Sequence, residues 1–360
     1  MRPVFISGFH SAATAGSPRR ILFVSDGPPE PDCVARIGQA SAADVDVLYI
    51  DTARTTREKT CQRASRRHWT YVRLAVETLR RQGAYRLLIA GQQFVGIYWS
   101  WLSRVRPLKT PPLVLLMFIY RSRPGPAGGI YRRFVARALK NPRVRLVVSH
   151  SSRENAYYRE TFPEARDKMA CVPIGRTFGI PPPRAAAAGG AAYFFAGGTS
   201  NRDYRTLAAA AGESGARFVV ACTPADAEGI AWPPNADIRH DAYGEAFVSL
   251  LGGSAAVVLE LDDPRISAGQ LVLLLAMQMG KPIVATRSAG TEDYLDEECA
   301  YLFAPHDAPH LGAILRRILE HPEEAARKGA AARARHQARF TGEAFGRAVG
   351  ALAAQQINEG

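Results

Sequence analysis

Residues 264–305, PRISAGQLVLLLAMQMGKPIVATRSAGTEDYLDEECAYLFAP, decide the fold. An apolar helical run spans Leu271 to Met279 and stops at Gly280, and a short β-type run covers Pro282 to Thr286. A turn of small residues follows at Ser288 to Gly290, after which another helix is predicted to begin. Small-residue turns thus precede both helices, and backbone N–H groups at helix amino termini attract anions. The pattern predicts a buried strand between two helices and a ligand that carries phosphate.

Strand-like and helical runs alternate along the rest of the chain. In the first half, strands are predicted at residues 20–25, 45–50, 86–90, 112–120, 144–149 and 169–172, and helices at 57–82, 129–139 and 153–162. In the second half, strands are predicted at 191–195, 216–222, 238–240 and 255–259, and helices at 203–211 and 243–251. This alternation predicts an α/β protein with two Rossmann-like, doubly wound parallel-sheet domains. Because such sheets bind ligands at the carboxyl ends of their strands, the cleft between the domains is the expected site.

A length of 360 residues predicts about two domains. The stretch at 179–190, GIPPPRAAAAGG, combines stiff prolines with small residues, which is typical of a domain linker. We therefore expect a loose N-terminal lead-in at residues 1–18, a first domain at 19–178, this linker, a second domain at 191–340 and a C-terminal helix at 341–360.

The composition is that of a globular protein, with 47% hydrophobic and 22% charged residues. The five cysteines are widely separated and odd in number, which excludes a disulfide framework and a zinc-type spacing and favours a reducing cytoplasm. The sequence has no run of 18 apolar residues and no signal-peptide order at its start. We expect a cytoplasmic protein that does not span a membrane.

The net charge of +13 arises in the first half of the chain. Residues 1–189 carry 31 Lys and Arg against 12 Asp and Glu, whereas residues 190–360 carry 15 against 21. In residues 92–140 tryptophans and tyrosines alternate with arginines, and anionic headgroups attract such surface cations at about 1 kcal/mol each. Peripheral contact with the inner face of a membrane is one interpretation, and an aromatic core beneath a solvated arginine face is the other. A basic half also suits nucleic acid, but no helix-turn-helix, zinc or RNA-binding signature is present.

Three segments of the second half carry a family resemblance: Leu275-Ala276-Met277, Gly280-Lys281-Pro282-Ile283-Val284-Ala285-Thr286 and Ala289-Gly290-Thr291-Glu292-Asp293. They resemble the sequence motifs EAMA.GKPVVAT and GG.PE, which occur in the nucleotide-sugar half of retaining GT-B glycosyltransferases of family four. The resemblance covers residues 192–340 well, and the first half only as a general α/β pattern. The family has two glutamates eight positions apart that contact the donor sugar and the ribose. Ser267 and Leu275 stand there in this chain, and leucine cannot accept a hydrogen bond.

The resemblance implies a GT-B fold in which the first domain takes the acceptor, the second binds the nucleotide sugar and the last helix crosses back. It implies a hexosyltransferase with a UDP- or GDP-sugar as donor substrate and a cell-envelope or exopolysaccharide glycan, linked to polyprenyl diphosphate, as acceptor. No cofactor and no metal are implied, since cationic side chains and helix N-termini can stabilise the leaving diphosphate. With both glutamates replaced, the stereochemistry stays open. The alternatives are a non-catalytic GT-B-like scaffold and a basic nucleic-acid-binding protein.

Two loops are predicted to bind the donor diphosphate, at Gly197, Gly198 and Arg202 and at Ser267, Ala268, Gly269 and Gln270. Paired glycines let the backbone approach a pyrophosphate, and an arginine can bind it through two hydrogen bonds. By the resemblance, Arg202 matches the family's second cation, whereas Gly198 replaces the first. The alternative for the first loop is a strand-to-helix turn capped by Asp203. The alternative for the second is a capping box, with Ser267 as N-cap and Gln270 at the third helical position.

The resemblance places the donor sugar or nucleotide near Gly290, Thr291 and Asp293, because Asp293 aligns with the glutamate of the PE pair. No catalytic base is assigned. The candidates are Asp26, which would orient an acceptor hydroxyl or act as a base, and His150, which ends a predicted strand. Their alternative roles are to cap a Gly-Pro turn and to serve as a structural histidine.

Overall fold

The computed structural model describes residues 5–9, 20–50, 64–104, 110–179 and 192–359. Residues 180–190 of the predicted linker lie outside these ranges. The chain divides into two compact units, the first formed by Met1–Pro173 with Gly342–Gly360 and the second by Ile174–Thr341.

The first unit is built on a seven-stranded sheet with the strand order β1-β3-β2-β4-β5-β6-β7. Its strands are β1 (Phe5–Phe9), β2 (Arg20–Ser25), β3 (Asp44–Tyr49), β4 (Leu87–Ala90), β5 (Leu113–Leu115), β6 (Val144–Ser149) and β7 (Met169–Cys171). Its helices are α1 (Pro31–Ser41), α2 (Ala64–Arg81), α3 (Gln93–Leu102), α4 (Gly125–Leu139), α5 (Ser152–Thr161) and the last helix of the chain, α12 (Gly342–Asn358). The central strands are apolar without alternation because helices cover both faces of the sheet.

Two sequence-based expectations for the first unit are wrong. The segment predicted as a loose lead-in, residues 1–18, contains the edge strand β1, which pairs antiparallel with β3. The sequence did not reveal this strand because five residues are too few to show a hydrophobic periodicity. The strand predicted at 112–120 ends at Leu115. Phe118 and Tyr120 are nevertheless buried, so their apolar character comes from packing on the core rather than from the ladder.

The second unit is built on a six-stranded sheet, entirely parallel, with the order β10-β9-β8-β11-β12-β13. Its strands are β8 (Phe194–Gly197), β9 (Phe218–Ala221), β10 (Ala236–Arg239), β11 (Ala256–Leu259), β12 (Ile283–Thr286) and β13 (Tyr301–Phe303). Its helices are α6 (Tyr204–Ser214), α7 (Pro224–Ala227), α8 (Glu245–Gly253), α9 (Gln270–Gln278), α10 (Ala308–Glu320) and α11 (Pro322–Arg339). Helix α9 packs on one face, and α6 and α10 pack on the other. The predicted fold class, with two Rossmann-like doubly wound sheets, is confirmed.

The boundary between the units falls five residues before the predicted end of the first domain. Residues 174–178 belong to the second unit, where the backbone N–H of Ile174 donates to the Tyr294 hydroxyl (2.8 Å). The side-chain oxygen of Gln278 accepts from the Phe178 N–H (2.8 Å), and its side-chain nitrogen donates to the Phe178 carbonyl (2.9 Å). These partners lie about 100 residues further along the chain, so local composition could not reveal them.

Helix α12 belongs to the first unit and packs against α1. Three glycines spaced by four residues, Gly342, Gly346 and Gly350, line the contact. A Cβ atom at position 346 would lie 2.5 Å from the carbonyl oxygen of Cys33, and one at position 350 would lie 2.8 Å from that of Ile37. The two helices therefore approach backbone to backbone, which only residues without a side chain allow.

Replacing Gly346 with alanine is expected to destabilise the first unit by about 1 to 3 kcal/mol, because a backbone oxygen cannot move aside as a side chain can. The matched control is Gly129→Ala, in the exposed interior of α4, where a Cβ meets no atom within 4 Å. That change is expected to stabilise the protein by roughly 0.4 to 1 kcal/mol. Urea unfolding curves of the two variants measure the difference, and equal midpoints would contradict the close helix contact.

Candidate functional site

Three loops of the second unit meet at the carboxyl edge of its sheet. They follow β8, β11 and β12, which are neighbours in the strand order. Asn201, which has a positive φ of 57°, joins the first two loops: its amide nitrogen donates to the Asp263 carbonyl (2.9 Å), and its amide oxygen accepts from the Asp263 N–H (3.0 Å). This is the edge at which doubly wound sheets bind ligands.

Arg202 lies folded onto the loop that carries it. Its Nε and Nη2 donate to the Gly197 carbonyl (3.1 and 3.0 Å), and its Nη1 donates to the Ser200 carbonyl (3.1 Å). A guanidinium has five N–H donors, so two are left for a ligand once these bonds with described residues are counted. Gly198, with a φ of +122°, makes this possible, because a Cβ there would lie 2.6 Å from Nη2. Glycine at 198 therefore makes room for the guanidinium.

The guanidinium of Arg202 also lies against the turn at 267–270. A Cβ atom on Gly269 would be 3.3 Å from Nη1 of Arg202, so the two predicted diphosphate loops are brought together. Gly269, with a φ of +83°, is the N-cap of α9, and as a glycine it has no side chain with which to cap this helix. The amino terminus of α9 thus begins beside the guanidinium, and its N-cap residue supplies no side-chain oxygen.

The predicted capping box at this turn is wrong. Gly269 takes the N-cap position and Gln270 is the first residue of α9, so neither Ser267 nor Gln270 holds its capping position. Instead, the Gln270 side-chain amide donates to the Ser267 hydroxyl and braces the turn from outside the helix. A glycine able to adopt a positive φ displaced the N-cap by two residues.

The third loop is held by backbone contact with the second. A Cβ atom on Gly290 would lie 2.3 Å from the carbonyl oxygen and 2.8 Å from the nitrogen of Ala268. Thr291 is fully buried; its hydroxyl donates to the Thr286 carbonyl (2.7 Å) and accepts from the Ser288 N–H (3.0 Å). These bonds give Thr291 a structural role in this turn.

The helix expected after Gly290 does not form. Residues 288–294 make successive turns, and the chain then passes through further turns to β13. The Thr291 hydroxyl donates to the Thr286 carbonyl and accepts from the Ser288 N–H, and these local bonds favour a compact turn over a helix. Asp293 is half-buried in these turns rather than in the first turn of a helix.

The structure also shows what replaced the family's second glutamate. Leu275 is 4% exposed and packs in the core beneath α9, so nothing at this position reaches a ligand.

Asp203 does cap α6, as the alternative interpretation of the first loop predicts, since one of its oxygens accepts from the Thr206 N–H (3.1 Å). Its other oxygen lies 2.8 Å from Nδ1 of His306.

Sequence reasoning missed Glu260, which directly follows β11. It is 1% exposed, and neither carboxylate oxygen has a hydrogen-bond partner among the described residues. Burial raises the pKa of Glu260 to about 8, against the opposing effect of the Arg202 guanidinium. The signal in the sequence was a single acidic residue within the apolar run AVVLEL at 256–261.

The two catalytic candidates lie at strand ends of the first unit. Asp26, half-buried, accepts a long hydrogen bond from the Tyr71 hydroxyl (3.4 Å). His150 is 7% exposed, has its Nδ1 2.7 Å from the Val172 carbonyl and packs on Phe345 of α12. Burial lowers the pKa of His150, although the hydrogen bond to Val172 acts the other way. These contacts favour the structural role for His150 and leave Asp26 as the accessible candidate.

The aromatic side chains of the region at 92–140 pack within the first unit. Trp99 is 1% exposed and belongs to the core, whereas Trp101 is half-buried, stacks on Phe134 and lies 5.5 Å from the guanidinium carbons of Arg104 and Arg137. None of the described helices combines the length and the apolar composition that crossing a membrane requires. Nor, among the residues with described positions, do three His, Cys, Asp or Glu side chains converge in a way that could hold a metal ion.

Residues 202–347 match the family described as glycosyl transferase-like. The fold is similar to that of sucrose-phosphate synthase from Thermosynechococcus elongatus, with a TM-score of 0.71 and 17% identity over 95% of this chain and 100% of that one. It is also similar to Anabaena HepE in complex with UDP-glucose, with a TM-score of 0.62 and 16% identity over 94% and 98% of the two chains. A third similar structure is a TarM mutant from S. aureus in complex with fondaparinux, α-GlcNAc-glycerol and UDP. Its TM-score is 0.55, at 14% identity over 76% of this chain and 57% of that one.

No curated protein sequence matches the chain. The family match and the structural neighbours confirm the resemblance to GT-B glycosyltransferases that segments of the second half carry. The class of protein is therefore defined by a GT-B fold whose second unit has a glycosyl transferase-like sequence.

Proposed function

We propose that the protein is a glycosyltransferase that takes its sugar from a nucleotide-diphosphate donor, UDP- or GDP-linked, bound at the carboxyl edge of the second sheet. One observation carries the proposal: the Arg202 guanidinium lies against Gly269, the N-cap of α9. A fixed cation and oriented amides at one place match the two negative charges of a diphosphate. The similar HepE structure contains UDP-glucose, which supports this donor class.

The same groups account for the chemistry of sugar transfer. When the bond between the sugar and the donor breaks, negative charge grows on the departing diphosphate, and preorganised donors aimed at that charge lower the barrier. Arg202 supplies the cation and α9 the dipole, so we propose a hexosyl transfer that needs no resident metal. Gln270 braces the turn through Ser267, and Asp293 lies on the adjoining loop. Asp26 is the proposed group for orienting the acceptor hydroxyl.

For the acceptor we propose a cell-envelope or exopolysaccharide glycan carried on polyprenyl diphosphate at the inner face of a membrane. Trp69 on α2 and Ile130 on α4 are 70% and 66% exposed, in a half of the chain with an excess of cations. Exposed aromatic and apolar side chains beside cations suit an anionic bilayer surface. Flotation with phosphatidylglycerol vesicles, compared with phosphatidylcholine vesicles, tests this part independently of the donor.

Thermal unfolding with a panel of nucleotide diphosphates and their sugars tests the donor proposal. A ligand that binds the folded state stabilises it by about 2.7 kcal/mol at 100 times its Kd, so a UDP- or GDP-series compound is expected to raise the Tm by several degrees. EDTA is expected to leave both this shift and sugar transfer unchanged. If no nucleotide diphosphate raises the Tm, the proposal is wrong.

A non-catalytic scaffold is the second candidate, because Ser267 and the buried Leu275 replace both family glutamates. Hydrolysis of the nucleotide sugars that bind separates the two. Donor turnover above the uncatalysed rate supports the transferase, whereas tight binding without turnover in the presence of glycan acceptors supports the scaffold.

A further inference from the structure

Glu260 is a buried acid that the proposed function has not used. Both of its carboxylate oxygens lie inside the second unit without a hydrogen-bond partner among the described residues. An ionised carboxylate in that state costs several kcal/mol, and an apolar side chain would fill the space at lower cost. Packing alone therefore gives no reason for an acid at the end of β11.

The position of Glu260 links it to Arg202. Its carbonyl oxygen accepts from the Asp203 N–H (3.3 Å), and the next residue, Leu261, forms an isolated bridge with Arg202. The backbone of Glu260 is thus fixed to the loop that carries the guanidinium, and the charge of that guanidinium favours the ionised form of its carboxyl. Tyr204 also lies close, but its hydroxyl donates to the Gly198 carbonyl (2.6 Å) rather than to Glu260.

We propose that Glu260 is a positioning residue of the diphosphate site that takes up a proton when the donor binds, so that donor affinity is linked to the charge of this buried carboxyl. The inference rests on the proposed function. Glu260 touches no reacting atom in this scheme, and no bond of the donor is made or broken. The proton comes from the solvent and moves to a carboxylate oxygen.

The linkage follows from the charges. In the free protein burial raises the pKa of Glu260, and Arg202 limits this rise by stabilising the ionised form, so that the pKa is about 8. A bound diphosphate neutralises that cation and adds negative charge in a poorly screened interior, so it raises the pKa of Glu260. Affinity is then highest below pH 8 and falls as the pH rises through about 8. A rise of one unit corresponds to roughly a fivefold loss of affinity between pH 7 and pH 9.

Other titratable groups around Glu260 must be separated from it. Burial raises the pKa of Tyr204 well above its ordinary value and that of Cys222 to about 11, so neither changes charge near pH 8. The remaining charged neighbours are Asp203 and Arg202 on the loop after β8, with His306, Asp262 and Asp226 beyond them. His306 needs its own control, because its Nδ1 lies 2.8 Å from the Asp203 carboxylate.

Isothermal titration calorimetry with UDP-glucose and GDP-mannose, between pH 7 and pH 9 in Tricine and in Tris, tests the inference. The two buffers differ in ionisation enthalpy, so the difference in heat counts the protons taken up. The wild-type protein is expected to take up a fraction of a proton near pH 8 and to bind roughly fivefold more weakly at pH 9 than at pH 7. Glu260→Gln, the neutral match of the protonated acid, is expected to lose both effects and to bind more tightly than wild type at pH 9.

Two variants control for neighbouring charges. His306→Asn suits the φ of +62° at this position, and Asp262→Asn removes an exposed acid two residues away. Both are expected to keep the proton uptake. Glu260→Met, with a side chain of similar length, provides a second neutral variant if the glutamine variant does not fold.

The outcomes separate the inference from the proposed function. Wild-type binding without proton uptake, uptake that survives in Glu260→Gln, or uptake lost in His306→Asn would each overturn the role of Glu260 and leave the glycosyltransferase proposal standing. If neither nucleotide sugar binds the wild type at any pH, the proposed function fails, and the inference falls with it.

Discussion

Replacing Arg202 with methionine is expected to weaken nucleotide-diphosphate binding by about 10- to 100-fold. Hydrogen bonds to charged groups are worth roughly 1.5 to 3 kcal/mol, and each 1.4 kcal/mol is a factor of about ten in Kd. The variant also removes the cation that stabilises the ionised form of Glu260, so the pKa of Glu260 rises further. Calorimetric titration with the nucleotide found in the panel measures the loss.

The matched control is Arg205→Met, three residues further on. Arg205 is exposed at the start of α6 and donates to the Gly229 carbonyl, away from the three loops. Its replacement is expected to change the Kd less than twofold. Arg202→Lys keeps the charge but not the planar fork, so it is expected to recover only part of the affinity. If Arg202→Met binds as well as Arg205→Met, the diphosphate does not bind where we propose.

Gly290→Ala is expected to reduce donor affinity by at least about tenfold while the protein still folds. The added Cβ would lie 2.3 Å from the Ala268 carbonyl oxygen, and neither backbone can rotate away. The loops must separate, which moves the amino terminus of α9 relative to Arg202. A misplacement of about 1 Å in such a site costs up to 100-fold, whereas overpacking costs only about 1 to 3 kcal/mol of stability.

Gly212→Ala provides the comparison for Gly290 within the same unit. It lies in α6, where a Cβ would meet only Pro233, at 3.9 Å. Both variants are followed by thermal unfolding and by donor binding. Stable Gly290→Ala protein with wild-type donor affinity would show that contact between the second and third loops does not shape the site.

The sequence pointed to the two loops for which we propose diphosphate binding, but it did not show how their residues contact one another. It identified Arg202 and Gly269 because a glycine-bearing turn after a strand forms a recognisable sequence motif. It took Gly198 as a missing cation, whereas the structure uses this glycine as space for Arg202. It offered Ser267 as a cap and Thr291 as a donor contact, and both depend on a choice among hydrogen-bond partners that only folding makes.

The sequence by itself determined the alternation of strands and helices, and hence the two parallel sheets, because burial on both faces leaves continuous apolar runs at recognisable spacing. The packing of α12 on α1 through Gly342, Gly346 and Gly350 was decided by tertiary structure, because α1 lies about 310 residues earlier in the chain. Tertiary structure alone decided which loops meet, that Glu260 lies inside without a partner, and that Leu275 belongs to the core. These properties depend on atoms distant in the chain, and a pattern of neighbouring residues does not contain those distances.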